Sequence, residues 1–145
     1  EVAKKNRTEM RELAFKLIYE TEIQKDMSEE QVELFVTNNN IEDAKIIKYL
    51  KDIVNGIETH KEDIIKNISE NLKEDWDITR ISKINLALLK ISLYEMLYAD
   101  VPYKVAINEV IELAKKYADE QSPIFINGVL ASVVKKNNLS GGVNN

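Results

Sequence analysis

The chain has 145 residues, 44% of them hydrophobic, which is enough for one buried core or two small subdomains with a shared interface but hardly for two independent domains. The absence of cysteine excludes disulfides, thiolate metal sites and thiol nucleophiles, and since no secretory signal or membrane-spanning apolar run is present, we expect a soluble, cytoplasmic protein. The net charge of −5 divides into +2 for residues 1–16, −8 for residues 17–80 and +1 thereafter, which excludes a protein-wide basic field and restricts any polyanion to a local patch.

A first amphipathic helix is predicted to begin near Thr8, because apolar residues follow it at helical spacing: Met10, Leu13, Ala14 and Leu17. The segment around its start carries a group of basic residues: Lys4, Lys5, Arg7 and Arg11. In a chain of this charge, that segment is the best candidate for contact with a polyanion. A solvated helix start with mixed charges is the alternative interpretation.

The middle of the chain predicts three more helices. Ser28 followed by Gln31 has the spacing of a capping box that opens a second helix, and residues 38–40 end it. A third helix carries apolar residues from Ile46 to Ile57 at spacings of three and four. We expect a break near residues 56–59, where Thr59 and Glu62 form another capping box before a fourth helix.

The last part of the chain predicts three further helices. Residues 81–97 are apolar over more than one face, as expected of a central helix surrounded by neighbours. Pro102 ends that helix or starts the next, and Ser122 with Pro123 places a cap and a proline at the first helical position at the head of the last helix. We therefore expect an all-α fold of about seven helices in two small antiparallel bundles, residues 8–72 and 78–136, packed together. Residues 140–145 are predicted to be a disordered tail of this single domain spanning residues 1–139.

Chemistry for catalysis is hard to find in the sequence. The sole histidine, His60, lacks a partner constellation for a nucleophile or a metal, and we expect it to be exposed and structural. With only four glycines, neither a P-loop nor a dinucleotide fingerprint exists. We predict a protein that is not an enzyme and that needs no cofactor and no metal.

Three residues in the last two predicted helices suggest structural roles. Gly128 lies inside an otherwise helical run, where it costs about 1 kcal/mol relative to alanine. The favoured explanation is that its missing side chain lets a neighbouring helix approach closely. Asn108 and Asn127 each fall among apolar residues, and if buried, their amides would bond to helix ends or loops and lock the two subdomains in register.

The turn joining the last two helices combines aromatic and acidic side chains: Tyr117, Asp119, Glu120, Gln121 and Phe125. Two interpretations remain open. The aromatic pair covers the core, or the turn is a docking surface for a basic protein.

Two segments of the chain resemble the NusB family of transcription antitermination factors. The run VPYKVAINEVIELAKKY, followed by SPIFINGVL, is similar to the C-terminal signature of that family. The N-terminal pattern R-x-x-x-R-E-x-A-x-x-x-L-Y agrees through Arg7, Arg11, Glu12, Ala14 and Tyr19, with Ile18 in place of leucine. The resemblance covers residues 4–136.

The resemblance implies an all-helical RNA-binding protein. It would pair with NusE, a small-subunit ribosomal protein, capture the single-stranded boxA element of nascent ribosomal RNA transcripts and join RNA polymerase. Family residues at the RNA surface map to Lys4, Lys5, Arg7 and Arg11, with Tyr19 as a further contact. The NusE-facing surface maps to the turn of Tyr117, Asp119, Glu120, Gln121 and Phe125.

Many relatives carry an unbroken arginine cluster at the start of the first helix. In this chain the basic residues there are interrupted by Asn6, Thr8 and Glu9. We therefore expect weak RNA binding by the chain alone and strong dependence on the partner. The alternatives are a noncatalytic domain related to ribosomal RNA cytosine methyltransferases and a helical adaptor without an RNA role.

Overall fold

The computed structural model describes residues 6–139, in which all regular secondary structure is helical. Seven α-helices follow one another: α1 (Arg7–Gln24), α2 (Glu29–Asn38), α3 (Ala44–Thr59), α4 (Lys61–Ser69), α5 (Lys83–Tyr98), α6 (Tyr103–Tyr117) and α7 (Ser122–Lys136). A short 3-10 turn, Ile78–Arg80, lies between α4 and α5. The predicted all-α fold of seven helices is confirmed. The predictions for Lys4, Lys5 and the tail from residue 140 fall outside the described residues.

Helix α5 lies at the centre of the fold, as its apolar composition predicts. It packs against α1, α3, α4, α6 and α7, and Leu88, Leu89 and Leu93 are completely buried in it. One hydrophobic core continues from α1 through α5 to α7. Because α5 is shared by both sets of helices, it holds the N-terminal helices against the C-terminal ones. No helix among residues 6–139 combines the length and the apolar character needed to cross a bilayer.

The helix starts differ from the predicted capping boxes. Ser28 precedes α2, but its side chain makes no capping hydrogen bond. The predicted box at Thr59 is wrong, since His60 is the residue that precedes α4. The capping box that does form is at α1, where the Asn6 side chain accepts from the backbone N–H of Glu9 at 2.8 Å and Glu9 accepts from that of Asn6 at 3.0 Å. Asn6 and Glu9 therefore fix the start of α1.

The break between α3 and α4 falls at His60, one residue beyond the predicted interval of residues 56–59. Gly56 lies inside α3 and marks a close approach, because a Cβ at this position would come within 2.1 Å of the Tyr94 ring. The prediction that His60 is exposed is wrong. Its ring is half-buried and stacks on Tyr98, with ring centroids 3.6 Å apart. His60 thus ties the α3–α4 junction to the end of α5.

Candidate functional site

The start of α1 presents one basic residue from the predicted RNA surface. Arg7 is the first residue of the helix and is exposed. The backbone N–H groups of the first helical turn lack partners within the helix, and they give this end a partial positive charge that adds to the charge of Arg7. The capping box of Asn6 and Glu9 fixes this end of the helix, so that Arg7 is held at a defined place on the surface.

Arg11 lies inside the protein instead. The residue is only 3% exposed, and its Nε lies 3.0 Å from both carboxylate oxygens of Glu95 on α5. Nη2 is 2.9 Å from Glu95 Oε2, and Nη1 is 3.3 Å from Oε1 of Glu109 on α6. The prediction that Arg11 contacts RNA is therefore not supported, because its guanidinium is committed to two carboxylates that tie α1 to α5 and α6.

The pair of Arg11 and Glu95 is held together against the cost of burial. Burial raises the pKa of the Glu95 carboxyl, and the hydrogen bond and charge of Arg11 oppose that rise. Burial lowers the pKa of Arg11, but the hydrogen bond and charge of Glu95 outweigh it and leave that pKa raised. Each partner thus stabilises the charged form of the other in a region that water does not reach.

Aromatic side chains lie along α1 beyond its N-terminal end. Phe15 is buried between two tyrosines: the centroid of its ring lies 6.2 Å from that of Tyr19 and 5.2 Å from that of Tyr117. Tyr19 and Tyr117 are both half-buried, so each has part of its surface in contact with solvent. The predicted contact Tyr19 therefore lies in a row of rings that runs from α1 to the end of α6.

Tyr117 is bound to α1 rather than to the turn that follows it. Its hydroxyl donates to Glu12, and Lys116 Nζ donates to the same carboxylate at 2.7 Å. Both hydrogen bonds lower the pKa of Glu12, and the bond from Lys116 has the larger effect. The ammonium groups of Lys16 and Lys116 lie 5.9 and 5.4 Å from the centroid of the Tyr117 ring. Tyr117 thus belongs to a mixed cationic and aromatic surface on α1 and α6.

Phe125 lies in a groove between α7, the start of α5 and the segment that joins α4 to α5. The groove has a volume of about 640 Å³. Its apolar walls include Leu72, Trp76, Ile124 and Phe125, and Arg80 and Asn85 add polar groups. Three of the five residues predicted as one partner surface line this groove, namely Asp119, Gln121 and Phe125, whereas Tyr117 contacts α1.

Trp76 is a site residue that the sequence analysis missed. Its ring centroid lies 5.7 Å from that of Phe125, and the guanidinium of Arg80 lies 4.9 Å from the ring of Trp76. The Trp76 residue is 38% exposed, and Ile124, also in the groove, is 71% exposed. A sole tryptophan in a segment of turns, beside an arginine four residues later, was the available signal. These side chains form an apolar surface with a cation at its edge.

The acidic part of the turn has a local structural role. Asp119 Oδ1 accepts hydrogen bonds from the backbone N–H groups of Gln121 and Ser122 and from Ser122 Oγ, all at 3.0 Å. Asp119 therefore shapes the entry to α7. The prediction that Ser122 caps this helix is wrong, since Ser122 is the first residue of α7 and Gln121 precedes it, with Pro123 following in the first turn. Glu120 and Gln121 are exposed beside it.

The structure corrects the predicted roles of Asn108, Asn127 and Gly128. Both asparagines are exposed, because each lies on the outer side of its helix, and they lock no subdomains together. Gly128 is also exposed, and no neighbouring helix approaches it. A Cβ at Gly128 would have no contact within 4 Å, its chain neighbours and the nearby backbone of its own helix aside.

Residues 8–135 match the model of the NusB family. The chain belongs to the NusB family. It is 49% identical over 133 residues to the transcription antitermination protein NusB of Clostridium novyi, an alignment that covers 90% of this chain and 98% of the relative. It is 44% identical to the protein of that name in Acetivibrio thermocellus, with 92% of each chain covered. The predicted resemblance is confirmed, and the name of these relatives describes a transcription factor rather than an enzyme.

Solved structures agree with this membership. T. maritima NusB superposes with a TM-score of 0.79 and is 30% identical, with 92% of this chain and 94% of that chain covered. A crystal structure of the antitermination factors NusB and NusE in complex with dsRNA contains a chain that is 26% identical and superposes with a TM-score of 0.80. In that case 90% of this chain and 96% of the other are covered. The NusB fold therefore extends over nearly all of this chain.

Proposed function

We propose that this chain is a cytoplasmic antitermination factor that binds the single-stranded boxA element of nascent ribosomal RNA transcripts together with NusE and then joins RNA polymerase. The observation that carries this proposal is the similarity, over 90% of the chain, to a chain in a crystal structure of NusB and NusE in complex with dsRNA. The relatives that share 44–49% of their residues with this chain are named as antitermination proteins.

The RNA surface that we propose runs along α1. Arg7 at the start of the helix and Lys16 two and a half turns later are both exposed, on opposite sides of α1, and they supply cations for phosphate groups of a strand that crosses the helix. Tyr19 and Tyr117 offer partly exposed rings against which unpaired bases can stack. Glu9 and Glu12 lie on the same helix and reduce its positive charge. This surface alone supports modest, salt-sensitive binding.

The NusE surface that we propose is the groove of Trp76, Ile124 and Phe125. Large, partly exposed apolar side chains with an arginine at the edge are the composition of protein-binding hot spots. The groove and the RNA surface are formed by different residues, so the two ligands can be held at the same time. A partner that extends the RNA surface raises the overall affinity by linking two binding events.

Titration of boxA RNA is expected to give much tighter binding in the presence of NusE than in its absence, because the chain by itself offers few phosphate contacts. Fluorescence anisotropy with labelled boxA RNA and the NusE protein of the same organism measures both affinities. A scrambled RNA of the same composition is the control and should gain less from NusE. Equal affinities with and without NusE would refute the dependence, and equal binding of the two RNAs would refute boxA recognition.

The substitution Arg7→Ala is expected to weaken binding of boxA and scrambled RNA alike and to reduce the slope of log K against log salt by about 1, as for the loss of one phosphate contact. Lys48→Ala is the matched control, since Lys48 is an exposed lysine on α3 and is not part of the proposed RNA surface. It should leave the slope unchanged. An unchanged slope for Arg7→Ala would remove Arg7 from the RNA surface.

A further inference from the structure

No contact within the described part of the protein requires a glycine at position 128. Gly128 is the seventh residue of the fifteen in α7, and glycine is among the least favourable residues in a helix interior. The usual compensation is a close approach by another part of the same chain, as at Gly56, where a Cβ would come within 2.1 Å of the Tyr94 ring. At Gly128 a Cβ would meet nothing within 4 Å. The missing side chain therefore relieves no contact inside the protein.

The open space beside Gly128 is part of the groove. Gly128 lines the groove and lies one helical turn beyond Ile124 and Phe125, on the same face of α7. Trp76 packs against Phe125 on the other side of the groove. The exposed backbone of Gly128 is thus bordered by the apolar side chains that we assign to partner binding.

We propose that Gly128 is a direct contact of NusE, at which an apolar side chain of the partner packs against the bare backbone of α7 between Ile124 and Trp76. This inference rests on the proposed function, since it takes NusE as the occupant of the groove. The lining favours an apolar group, because Ile124 is 71% exposed and the rings of Trp76 and Phe125 stand beside it. Glycine keeps the floor of the groove low, and any side chain at this position would fill part of the space that the partner occupies.

The proposal predicts opposite effects on stability and on binding. Gly128→Ala is expected to raise the melting temperature of the free protein by about 3 °C, because alanine favours the helix and meets no neighbour. The same substitution should weaken NusE binding at least threefold. Gly128→Leu, with a larger side chain in the groove, should weaken it by at least about 100-fold.

Asn127→Ala is the matched control. Asn127 is exposed on the same helix, next to Gly128 but outside the lining of the groove, and alanine improves its helix propensity as well. Its melting temperature should rise like that of Gly128→Ala, whereas its affinity for NusE should stay within twofold of the unchanged chain. Differential scanning calorimetry of the free variants and isothermal titration calorimetry with NusE measure the two effects.

The outcomes separate this inference from the proposed function. If the unchanged chain binds NusE and both Gly128 variants bind it equally well, Gly128 is not a contact, and the proposed function stands. If NusE fails to bind the unchanged chain, the proposed function and this inference fall together. If Asn127→Ala weakens binding as much as Gly128→Leu, helix propensity rather than groove filling is responsible, and the inference is overturned.

Discussion

Replacing Arg11 by methionine is expected to lower the free energy of unfolding by about 3–5 kcal/mol, because it leaves the Glu95 carboxylate buried without a partner. The carboxylate now receives hydrogen bonds from Arg11 Nε at 3.0 Å and an ion pair from Nη2 at 2.9 Å. Methionine retains most of the volume of the side chain, so the loss reflects charge rather than a cavity. Urea denaturation measures the difference in the free energy of unfolding.

Two further variants test the cause of this loss. The double variant Arg11→Met with Glu95→Met removes both charges and should recover most of the stability, since an apolar pair of similar volume costs little. Lys48→Met breaks an exposed pair with Asp52 on α3 and should change stability by less than about 0.5 kcal/mol. A double variant as unstable as Arg11→Met alone would contradict the electrostatic explanation.

The stability loss of Arg11→Met should also depend on pH. Burial raises the pKa of Glu95 in the folded protein, and without Arg11 the opposing effect of the guanidinium is lost, so the folded pKa rises further. A carboxyl whose folded pKa exceeds its unfolded value takes up its proton more readily when folded. The deficit relative to the unchanged chain should therefore be smallest below the unfolded pKa of about 4.3 and grow as pH rises through the folded pKa. A deficit independent of pH would contradict this.

The buried ion pair shows what the helical pattern could predict and what was overlooked. Arg11 shares its helix face with Ala14 and Ile18, which are completely buried. Glu95 is the sole acidic residue in a helix predicted to be surrounded by neighbours. A cation on the buried face of α1 and an anion on α5 indicate a buried ion pair, because neither charge is stable there alone. The identity of the partner still depends on how α1 packs against α5, which local spacing does not determine.

Hydrophobic periodicity predicted the number of helices and the central position of α5. It did not predict the roles of single polar residues. Ser28 and Thr59 have the spacing of capping boxes, yet neither side chain caps its helix. Asn108 and Asn127 stand among apolar residues in sequence but lie on the exposed sides of α6 and α7. A residue between two apolar neighbours in a helix is rotated about 100° from each, so sequence neighbours say little about burial.

The candidate partner surface could be only half predicted. Phe125 was identified within its helix, but Trp76 reaches it from the segment between α4 and α5, 49 positions earlier in the chain. Turn segments carry no periodic pattern that places their side chains. Tyr117 was grouped with Phe125 because the two are close in sequence, while the structure directs Tyr117 to Glu12 on α1. Proximity along the chain did not predict proximity in space, because the entry to α7 separates the two rings.

Trp76→Ala is expected to reduce the affinity for NusE by about 30-fold or more, equivalent to roughly 2 kcal/mol, because an aromatic residue in an apolar groove is the usual centre of a protein interface. The substitution removes the ring that packs on Phe125 and the face over which Arg80 lies at 4.9 Å. The cost to folding should be much smaller, since Trp76 is already 38% exposed in the free protein. Isothermal titration calorimetry with NusE and urea denaturation of the free variant measure the two quantities.

Leu34→Ala distinguishes a specific contact of Trp76 from a general effect of surface apolarity. Leu34 is 54% exposed on α2 and lies outside the groove, so its loss removes a comparable exposed apolar side chain without touching the proposed partner surface. NusE should bind Leu34→Ala as it binds the unchanged chain. Equal affinities for the two variants would mean that the groove is not where NusE binds. A loss confined to Trp76→Ala requires the partner to reach the segment between α4 and α5, and this places NusE across the junction of the N-terminal and C-terminal helices.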